Sequence, residues 1–498
     1  MPSSPRHRHH PRRTLLRAPL PLTLLLALTL TATSCTEGGP GDVTGTPGTH
    51  GLRDPLFPKL GNGGYDVSHY ALDLDYDPAA HRLKGTAEIT AKATQGLSSF
   101  NLDLAGLKAD SATVQGERAT ASQAGKELTL RPRRDLREGE TFKVVVRYSG
   151  TPPVITDADD AREGWLRSKD GKLSVAVGQP TGSMAWFPGN HHPSDKATYD
   201  IKVTVPKGLK AISNGELRTP PRTENGRTTF DWQMREPMAS YLAMVSIGEF
   251  EVWEGKATAQ FGADGETPAR TVPVYAAAEQ SVDAQSLQLR KRIPELMDWA
   301  VTYFGPYPFG SIGSVVTRGT GDIGYALESQ TKPVYAGVTN GSGSSLAEAQ
   351  LHEIAHQWFG NSVSPKGWRD MWLSEGFATY AEWLWEEDEG GSTAQESFEA
   401  AFADDDNWRF PPAVPPTAKD VSEDPVYYAG AMVLHKIRQK VGDDPFFELL
   451  ESWPADHRGR SVSTADFTAY AERKTGADLS AVWETWLYGG EKPATPNA

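Results

Sequence analysis

Between residues 65 and 255 apolar and polar positions alternate in short runs. In YALDLDY (70–76) the tyrosine and leucine side chains face one way and the aspartates face the other. FKVVVRY (142–148) and YDIKVTVP (199–206) repeat this period of two. Successive side chains of a strand point to opposite faces, so the alternation predicts half-buried antiparallel strands. We expect residues 65–255 to form an antiparallel β-sandwich or saddle-shaped domain.

From about residue 256 the apolar positions take the spacing of amphipathic helices. Ser374 is a candidate helix cap, and the glycines at 390–391 are a candidate stop. The predicted helices lie within 281–305, 344–360, 374–391, 428–453 and 464–486. Residues 256–498 should therefore form a mainly α-helical domain. The predicted fold class is a multidomain chain, β first and then mainly α.

The first 64 residues have a different composition. Residues 1–34 combine a basic head, a short apolar run and small residues, which is typical of a secretory signal peptide. Cys35 is the only cysteine and follows Ala-Thr-Ser, a pattern that resembles the lipobox of bacterial lipoproteins. Residues 35–64 would then be a lipidated cysteine and a flexible, Gly/Pro-rich tether. The prediction is an exported lipoprotein on the outer face of the cell membrane. The alternative is a secreted protein whose thiol has no role.

Bulk composition narrows the possible functions. Over 498 residues the chain is 38% hydrophobic with a net charge of −14, as expected for large globular domains. An acidic balance argues against nucleic acid as a partner, since phosphate binding needs basic patches. One cysteine also excludes an intrachain disulfide and a cysteine-based metal site. Oligomeric state is not predicted.

Histidine is scarce, with 12 in the chain, yet two lie four residues apart in LHEIAHQWFG. On a helix His352 and His356 share one face, so both imidazoles can reach one metal ion. Glu353 points slightly aside and can hold a metal-bound water instead of ligating the ion. These residues lie among Leu, Ile, Ala, Trp and Phe, where buried imidazoles without a metal would be costly. The pattern predicts a zinc site.

A catalytic zinc needs a third protein ligand and an open position. Glu375, 19 residues after His356, begins the next predicted helix, which a short loop would fold back against the first. The predicted set is His352, His356 and Glu375, holding one Zn²⁺ per chain.

HEIAHQWFGNSVSPKGWRDMWLSEGFATY resembles the zinc signature of peptidase family M1, the relatives of aminopeptidase N and leukotriene A4 hydrolase. Residues 69–93 and 178–206 resemble parts of the family's N-terminal β domain. The resemblance implies a thermolysin-like catalytic domain. Larger members continue with a helical domain that covers the site, so a more open cleft is expected here.

The resemblance also implies further site residues. Glu328, in YALES, would bind the α-amino group, although Tyr325, Leu327 and Ser329 replace the family's Gly, Met and Asn. Tyr427, in YYAG, would be the catalytic tyrosine; its neighbour Tyr428 remains an alternative. Gln179 matches a substrate-facing glutamine.

These residues together imply a zinc aminopeptidase that acts on peptides with a free N-terminus. Glu353 would activate the metal-bound water as a general base, and zinc and Tyr427 would stabilise the oxyanion. Two alternatives stay open: an endo- or oligopeptidase on the same site, and a noncatalytic surface lipoprotein that binds peptides. The pair His191 and His192 is expected to lie in a solvated loop. The membrane is expected as a partner only through the lipid anchor.

Overall fold

A computed structural model describes residues 45–282, 284–318, 326–336 and 343–496. The predicted signal peptide, Cys35 and Tyr325 lie outside these residues, so the predictions made for them stay predictions.

The N-terminal domain is built from strands, as predicted. They are β1 (Thr46–Pro47), β2 (Tyr65–Asp77), β3 (Arg82–Ala93), β4 (Leu97–Asp103), β5 (Lys108–Val114), β6 (Glu117–Arg118), β7 (Thr120–Ala124), β8 (Glu127–Arg131), β9 (Thr141–Gly150), β10 (Val154–Thr156), β11 (Arg162–Arg167), β12 (Ser174–Val177), β13 (Lys196–Pro206), β14 (Lys210–Ser213), β15 (Glu216–Leu217), β16 (Arg222–Glu224), β17 (Arg227–Ala239) and β18 (Val245–Gly248).

These strands form three sheets. The largest has the order β15-β17-β13-β2-β3-β9-β5-β6, with β16 also paired to β17; the others are β1-β4-β8-β7 and β10-β11-β12-β18-β14. Most pairs are antiparallel, as predicted. The prediction is wrong for β13 and β2, which pair in parallel from Thr198 opposite His69 to Thr204 opposite Asp75. No local pattern distinguishes the two cases, because both orientations place alternate residues on opposite faces.

Alternation along the strands puts large rings into the core. Tyr70 stacks on Tyr199 across the parallel pair, with ring centroids 5.0 Å apart. The prediction of a solvated loop for His191 and His192 is wrong, because their exposed fractions are 3% and 5%. His191 Nε2 lies 3.1 Å from Phe187 O, and His192 Nδ1 lies 2.7 Å from Ser194 Oγ. Both rings are therefore packing residues with polar partners.

Residues 45–64 correct the tether prediction. Strand β1 pairs with β4, and Leu60 is buried. Asp54 is buried and accepts hydrogen bonds from the backbone amides of Leu56 and Trp368, at 2.8 and 3.0 Å. This segment therefore contacts the N-terminal domain through the pairing of β1 with β4, and the catalytic domain through the Trp368 amide that Asp54 binds. Composition alone could not show these contacts.

A further sheet, of five strands, opens the C-terminal domain. Its strands are β19 (Phe250–Phe261), β20 (Pro268–Glu279), β21 (Ile312–Thr317), β22 (Ala326–Leu327) and β23 (Val334–Ala336), in the order β19-β20-β21-β23-β22. The predicted domain boundary at 255 falls inside β19, which pairs only within this sheet. Strands β24 (Ser364–Pro365) and β25 (Ser461–Val462) pair separately.

Helices make up the rest of this domain. They are α1 (Ala284–Phe304), α2 (Gly343–Ala355), α3 (Trp372–Asp388), α4 (Ala394–Ala403), α5 (Gly430–Val441), α6 (Asp443–Asp456), α7 (Thr464–Thr475) and α8 (Ser480–Val482). A π-helical turn, Pro425–Ala429, leads into α5, and another, Trp483–Leu487, follows α8.

The structure has helices in all five predicted ranges, but α4 (Ala394–Ala403) was not predicted and several helix ends differ. The long helix predicted over 428–453 is broken at Gly442, where φ is +85°. The helix predicted over 464–486 ends at Gly476, which caps α7 in the left-handed conformation. Ser374 lies inside α3, two residues after its start at Trp372, and does not cap it.

Among the described residues, no helix combines the length and the apolar character that crossing a membrane requires.

Candidate active site

Helices α2 and α3 bring the three predicted metal ligands together. His352 lies in the last turn of α2, and His356 follows one turn later, its amide donating to the His352 carbonyl at 3.1 Å. Glu375 lies in the first turn of α3. The loop between the helices folds α3 back on α2, as the sequence predicted.

The donor atoms converge on one point. Glu375 Oε2 lies 3.4 Å from His352 Nε2 and 3.3 Å from His356 Nε2. The three ligand atoms all lie within 4.8 Å of one another, the only such group found among the described His, Cys, Asp and Glu residues. Two imidazoles and one carboxylate, with a fourth side open to a cavity, form the donor set of a catalytic zinc. The residues present therefore fit this metal.

Second contacts fix the orientation of each imidazole. His352 Nδ1 lies 2.5 Å from Oε1 of Glu382, in the second half of α3. His356 Nδ1 lies 3.1 Å from Phe359 O and 3.0 Å from Ser374 Oγ. Since a carbonyl or carboxylate oxygen can only accept, both Nδ1 atoms carry the proton and both Nε2 atoms are left for the metal.

Two opposing effects set the ionisation of Glu375. Burial raises the pKa of the Glu375 carboxyl, but His356 and His352 outweigh it and lower that pKa to about 2. Glu375 is therefore ionised, as a metal ligand must be.

Glu353 points into the cavity without a partner. Its exposed fraction is 6%, and its Oε2 has no hydrogen bond in the part of the chain that the structure describes. Burial is the main cause that raises the Glu353 pKa to about 8, while His352 and His356 oppose it. A buried carboxylate oxygen kept unpartnered beside a metal site is available to take up a proton.

Glu328 lies across the same cavity, next to Gln179 from the N-terminal domain. It is buried, and its pKa is raised by burial, an effect that the nearby His356 opposes. In the orientation that satisfies both groups, the Gln179 amide donates to both Glu328 carboxylate oxygens at 2.8 Å. Leu327, which replaces the family's methionine, lines the cavity beside it.

Two amide side chains of the zinc segment hold the Glu328 backbone in place. Asn361 Nδ2 donates to the Glu328 carbonyl at 2.6 Å, and Gln357 Nε2 donates to it at 3.3 Å. The position of Glu328 is thus tied to the same HQWFGN stretch that presents His356. Sequence reasoning did not assign these two amides a role, although their place beside a ligand was a usable signal.

Tyr427 and not Tyr428 faces the metal ligands. Its ring is parallel to the His352 imidazole, with centroids 6.2 Å apart and an angle of 16°. Tyr428 is 41% exposed and lines a different cavity. Burial and the carboxylates of Glu375 and Glu328 raise the pKa of Tyr427 well above 10. Its hydroxyl is therefore protonated at neutral pH and can donate a hydrogen bond.

A close contact between two glycines lets this tyrosine reach the site. A Cβ on Gly376 would lie 2.8 Å from the Gly430 carbonyl carbon, so α3 and α5 touch through their backbones. The π-helical turn that carries Tyr427 leads directly into α5 and packs against α3.

The cavity has a volume of about 330 Å³ and unites the predicted site residues. His352, Glu353, His356, Glu375, Tyr427, Glu328 and Gln179 all line it, together with Asp157, Asp159, Ala161, Pro180, Ala326, Leu327 and Ser422. Sequence reasoning missed Asp157 and Asp159, which come from the turn between β10 and β11.

Comparison with known proteins agrees with this arrangement. The model of the peptidase M1 N-terminal domain matches residues 66–242, and that of the peptidase family M1 domain matches residues 337–486. The crystal structure of an M1 zinc metallopeptidase from Deinococcus radiodurans superposes with a TM-score of 0.81 at 30% identity, over 90% of this chain and 98% of that one. The chain belongs to peptidase family M1. It has the strand-rich N-terminal domain and helical catalytic domain of that family's two-domain structures.

Curated M1 relatives are more distant and longer. Leucyl aminopeptidase of Saccharolobus solfataricus is 24% identical over 86% of this chain and 54% of its own length. Aminopeptidase N of Streptomyces lividans is 25% identical over 60% of this chain and 36% of its own length. The chain thus spans about half or less of these relatives. Membership of the family and the His-His-Glu donor set together identify zinc as the cofactor of this M1 chain.

Proposed function

We propose that this M1 chain is a zinc aminopeptidase that hydrolyses the first peptide bond of peptides with a free N-terminus. One observation carries the proposal. A single cavity holds the His352, His356 and Glu375 donor atoms, the unpartnered Glu353 and, across from them, the buried carboxylate of Glu328.

Zinc, when bound, supplies a Lewis acid that polarises the scissile carbonyl and lowers the pKa of water. Glu353 Oε2 then takes the proton of the attacking water. The same oxygen delivers this proton to the leaving amine, so that Glu353 ends the cycle ionised. Its freedom from other hydrogen bonds suits both transfers.

Tyr427 stabilises the charge that develops on the carbonyl oxygen. Because burial and the neighbouring carboxylates keep its hydroxyl protonated, it donates a hydrogen bond as that charge appears. Its placement beside His352 puts the donor on the metal side of the cavity.

Glu328 determines how many residues are removed in each reaction. Its carboxylate, with the Gln179 side chain, accepts the α-ammonium group of the peptide. With the α-ammonium held there and the first carbonyl facing the metal ligands, one residue lies before the bond that is cut. The departures at Leu327 and Ser329 leave this carboxylate in place.

Relatives support the same activity. A variant of the Deinococcus radiodurans M1 zinc metallopeptidase is bound to a Tyr-Ser-Ala substrate, with a TM-score of 0.81 over 99% of that chain. The curated relatives include leucyl aminopeptidase, aminopeptidase N and glutamyl aminopeptidase. These three names describe removal of N-terminal residues.

Hydrolysis of leucine p-nitroanilide tests the proposal against a noncatalytic peptide-binding scaffold. The purified protein should release nitroaniline, lose this activity on chelation and recover it with zinc. Glu353→Gln should bind about one zinc ion per chain and lose about three orders of magnitude in kcat. A Glu353→Gln protein with wild-type activity would exclude the proposed base.

We further propose that the chain is exported and anchored to the outer face of the cell membrane by lipid on Cys35. The basic and apolar segments at 1–34 and the lipobox-like residues before the single cysteine support this. In cells fed a labelled fatty acid, wild-type protein should carry label and Cys35→Ser should carry none. Equal label in both proteins, or no label in either, would reject lipidation at Cys35.

A further inference from the structure

The cavity extends beyond the residues used in the proposed mechanism. Asp157 and Asp159 line it from the turn between β10 and β11, in the N-terminal domain. Glu328 and the unpartnered Glu353, both more than nine-tenths buried, face the same space. The two aspartates thus lie on the wall of a built site and have no role so far.

Hydrogen bonds within the turn fix both aspartates. The Asp157 amide donates to Ala161 O at 3.0 Å and closes the turn. The Asp159 amide donates to Asp157 Oδ1 at 3.2 Å, and the Ala161 amide donates to Asp159 Oδ1 at 2.9 Å. Each carboxylate therefore holds a backbone amide of the turn through its Oδ1 atom.

The turn is also tied to the segment that carries Gln179. Glu163, in β11, is fully buried and accepts hydrogen bonds from the amides of Thr181 and Gly182, at 2.9 and 2.8 Å. Because Glu163 joins these two segments, the aspartates keep a fixed position relative to Gln179 and Glu328.

Acidic groups dominate the surroundings of Asp157. Burial, followed by the adjacent Asp159 and then Glu163, raises the pKa of Asp157 to about 8. Two adjacent carboxylates in a partly buried space favour a cationic ligand, because a nearby positive charge lets both of them ionise.

Substrate geometry directs one side chain toward this pair. If Glu328 binds the α-ammonium and the metal ligands face the first carbonyl, the Cα of the first residue lies between them. Its side chain then enters the cavity that Ala161, Pro180 and Leu327 line together with Asp157 and Asp159. An apolar stem and a terminal cation match such a lining.

We propose that Asp157 and Asp159 make this enzyme selective for peptides whose first residue is arginine or lysine. The inference rests on the proposed aminopeptidase function. Arginine is the better fit of the two, since a planar guanidinium can donate to two carboxylates at once.

Steady-state rates on the p-nitroanilides of arginine, lysine, leucine and norleucine test the selection. The variants are Asp157→Asn, Asp159→Asn and the double variant, with Asp160→Asn as the matched control. Asparagine keeps the Oδ1 acceptor that holds the turn and removes the ionisable carboxyl group. Asp160 is an exposed residue of the same turn and does not line the cavity.

We expect wild type to favour arginine over norleucine in kcat/KM. The double variant should lose about tenfold or more of that ratio, mainly through KM for arginine, with norleucine changed by less than about threefold. Asp160→Asn should keep the wild-type ratio.

The contrary outcomes separate the two proposals. If wild type cleaves leucine and norleucine substrates but the arginine ratio is the same in all variants, the selection is wrong and the aminopeptidase stands. A parallel loss on all four substrates in the double variant would also reject selection and assign the pair to folding. If wild type cleaves none of the four, the proposed function fails and the selection with it.

Discussion

At the scale of single residues, two adjacent tyrosines have different surroundings. Tyr427 faces the His352 imidazole, whereas Tyr428 is exposed on another cavity. Both tyrosines lie in the same π-helical turn, so a substitution of Tyr428 is a matched control for the same substitution of Tyr427.

Tyr427→Phe should lower kcat by about 10²–10³ with little change in KM, because it removes a donor that acts on charge present only in the transition state. Tyr428→Phe should stay near wild type. Steady-state kinetics on leucine p-nitroanilide measure both. Equal losses in the two variants would show that Tyr427 has no such role.

The metal ligands could be predicted from sequence, whereas their supports could not. His352 and His356 are neighbours by helical spacing alone, and Glu375 needed only a short return loop. Glu382 and Asp157 come close to the site only because of the tertiary fold, and a local sequence pattern does not show this. Glu328, Tyr427 and Gln179 were predicted through resemblance to a family, and the structure places all three in one cavity.

At the scale of elements, α3 supplies more of the site than a single ligand. Its first turn carries Glu375 and also Ser374, which contacts the His356 ring. Two turns later Glu382 holds His352. One rigid helix therefore orients both imidazoles.

Glu382→Gln should weaken zinc binding about 10- to 100-fold, because the amide is a poorer acceptor for the His352 Nδ1 proton. Competition with a zinc-binding dye measures this affinity. Glu386→Gln, one turn further along α3, touches no zinc ligand and should bind zinc as wild type does. Unchanged affinity in Glu382→Gln would deny the orienting role.

Contact between α3 and α5 predicts a stability effect. Gly376→Val should lower the free energy of unfolding by about 1–3 kcal/mol, because its Cβ meets the Gly430 backbone. Chemical denaturation measures the loss. Gly490→Val is the control, since a Cβ there meets nothing within 4 Å. Equal stabilities of the two variants would show that the helices can separate without cost.

The periodicity of apolar residues predicted which segments are helices and which are strands. It did not predict where helices break or which strands pair. Gly442 and Gly476 interrupt helices at positive φ, where apolar spacing continues on both sides. The parallel pairing of β2 with β13 depends on partners far apart in sequence, and strand alternation carries no sign of orientation.

At the scale of the whole molecule, Lys332 joins the two domains. It is fully buried, and its Nζ donates to the carbonyl of Gly215, in the N-terminal domain, at 2.8 Å. Burial lowers its pKa from 10.5 to about 7. Between these values the unfolded chain holds a proton that the folded chain has released.

Stability should therefore rise with pH above about 7, where the cost of a buried charge disappears, by up to about 1.4 kcal/mol per pH unit from this residue. Lys332→Met should remove that part of the slope, and Lys256→Met, an exposed lysine of the same domain, should keep it. Denaturation from roughly pH 7.5 to 9 measures the slopes. Identical slopes in all three proteins would contradict a buried, neutralised Lys332.

The segment before β2 shows why domain limits were hard to predict. Its glycines and prolines suggested a tether, yet Asp54 connects it to Trp368 of the catalytic domain. Composition indicates how flexible an isolated segment would be. It does not show which hydrogen-bond donors the rest of the fold places beside that segment.

The central claim is that Glu328 and the metal ligands together limit cleavage to the first residue. The most direct test incubates one peptide with a free and with an acetylated N-terminus and follows product masses by mass spectrometry, with Glu353→Gln as the blank. The account predicts stepwise loss of single N-terminal residues from the free peptide, and an intact acetylated peptide. Internal cuts in both peptides, absent from the blank, would contradict it and show an endopeptidase on the same zinc site.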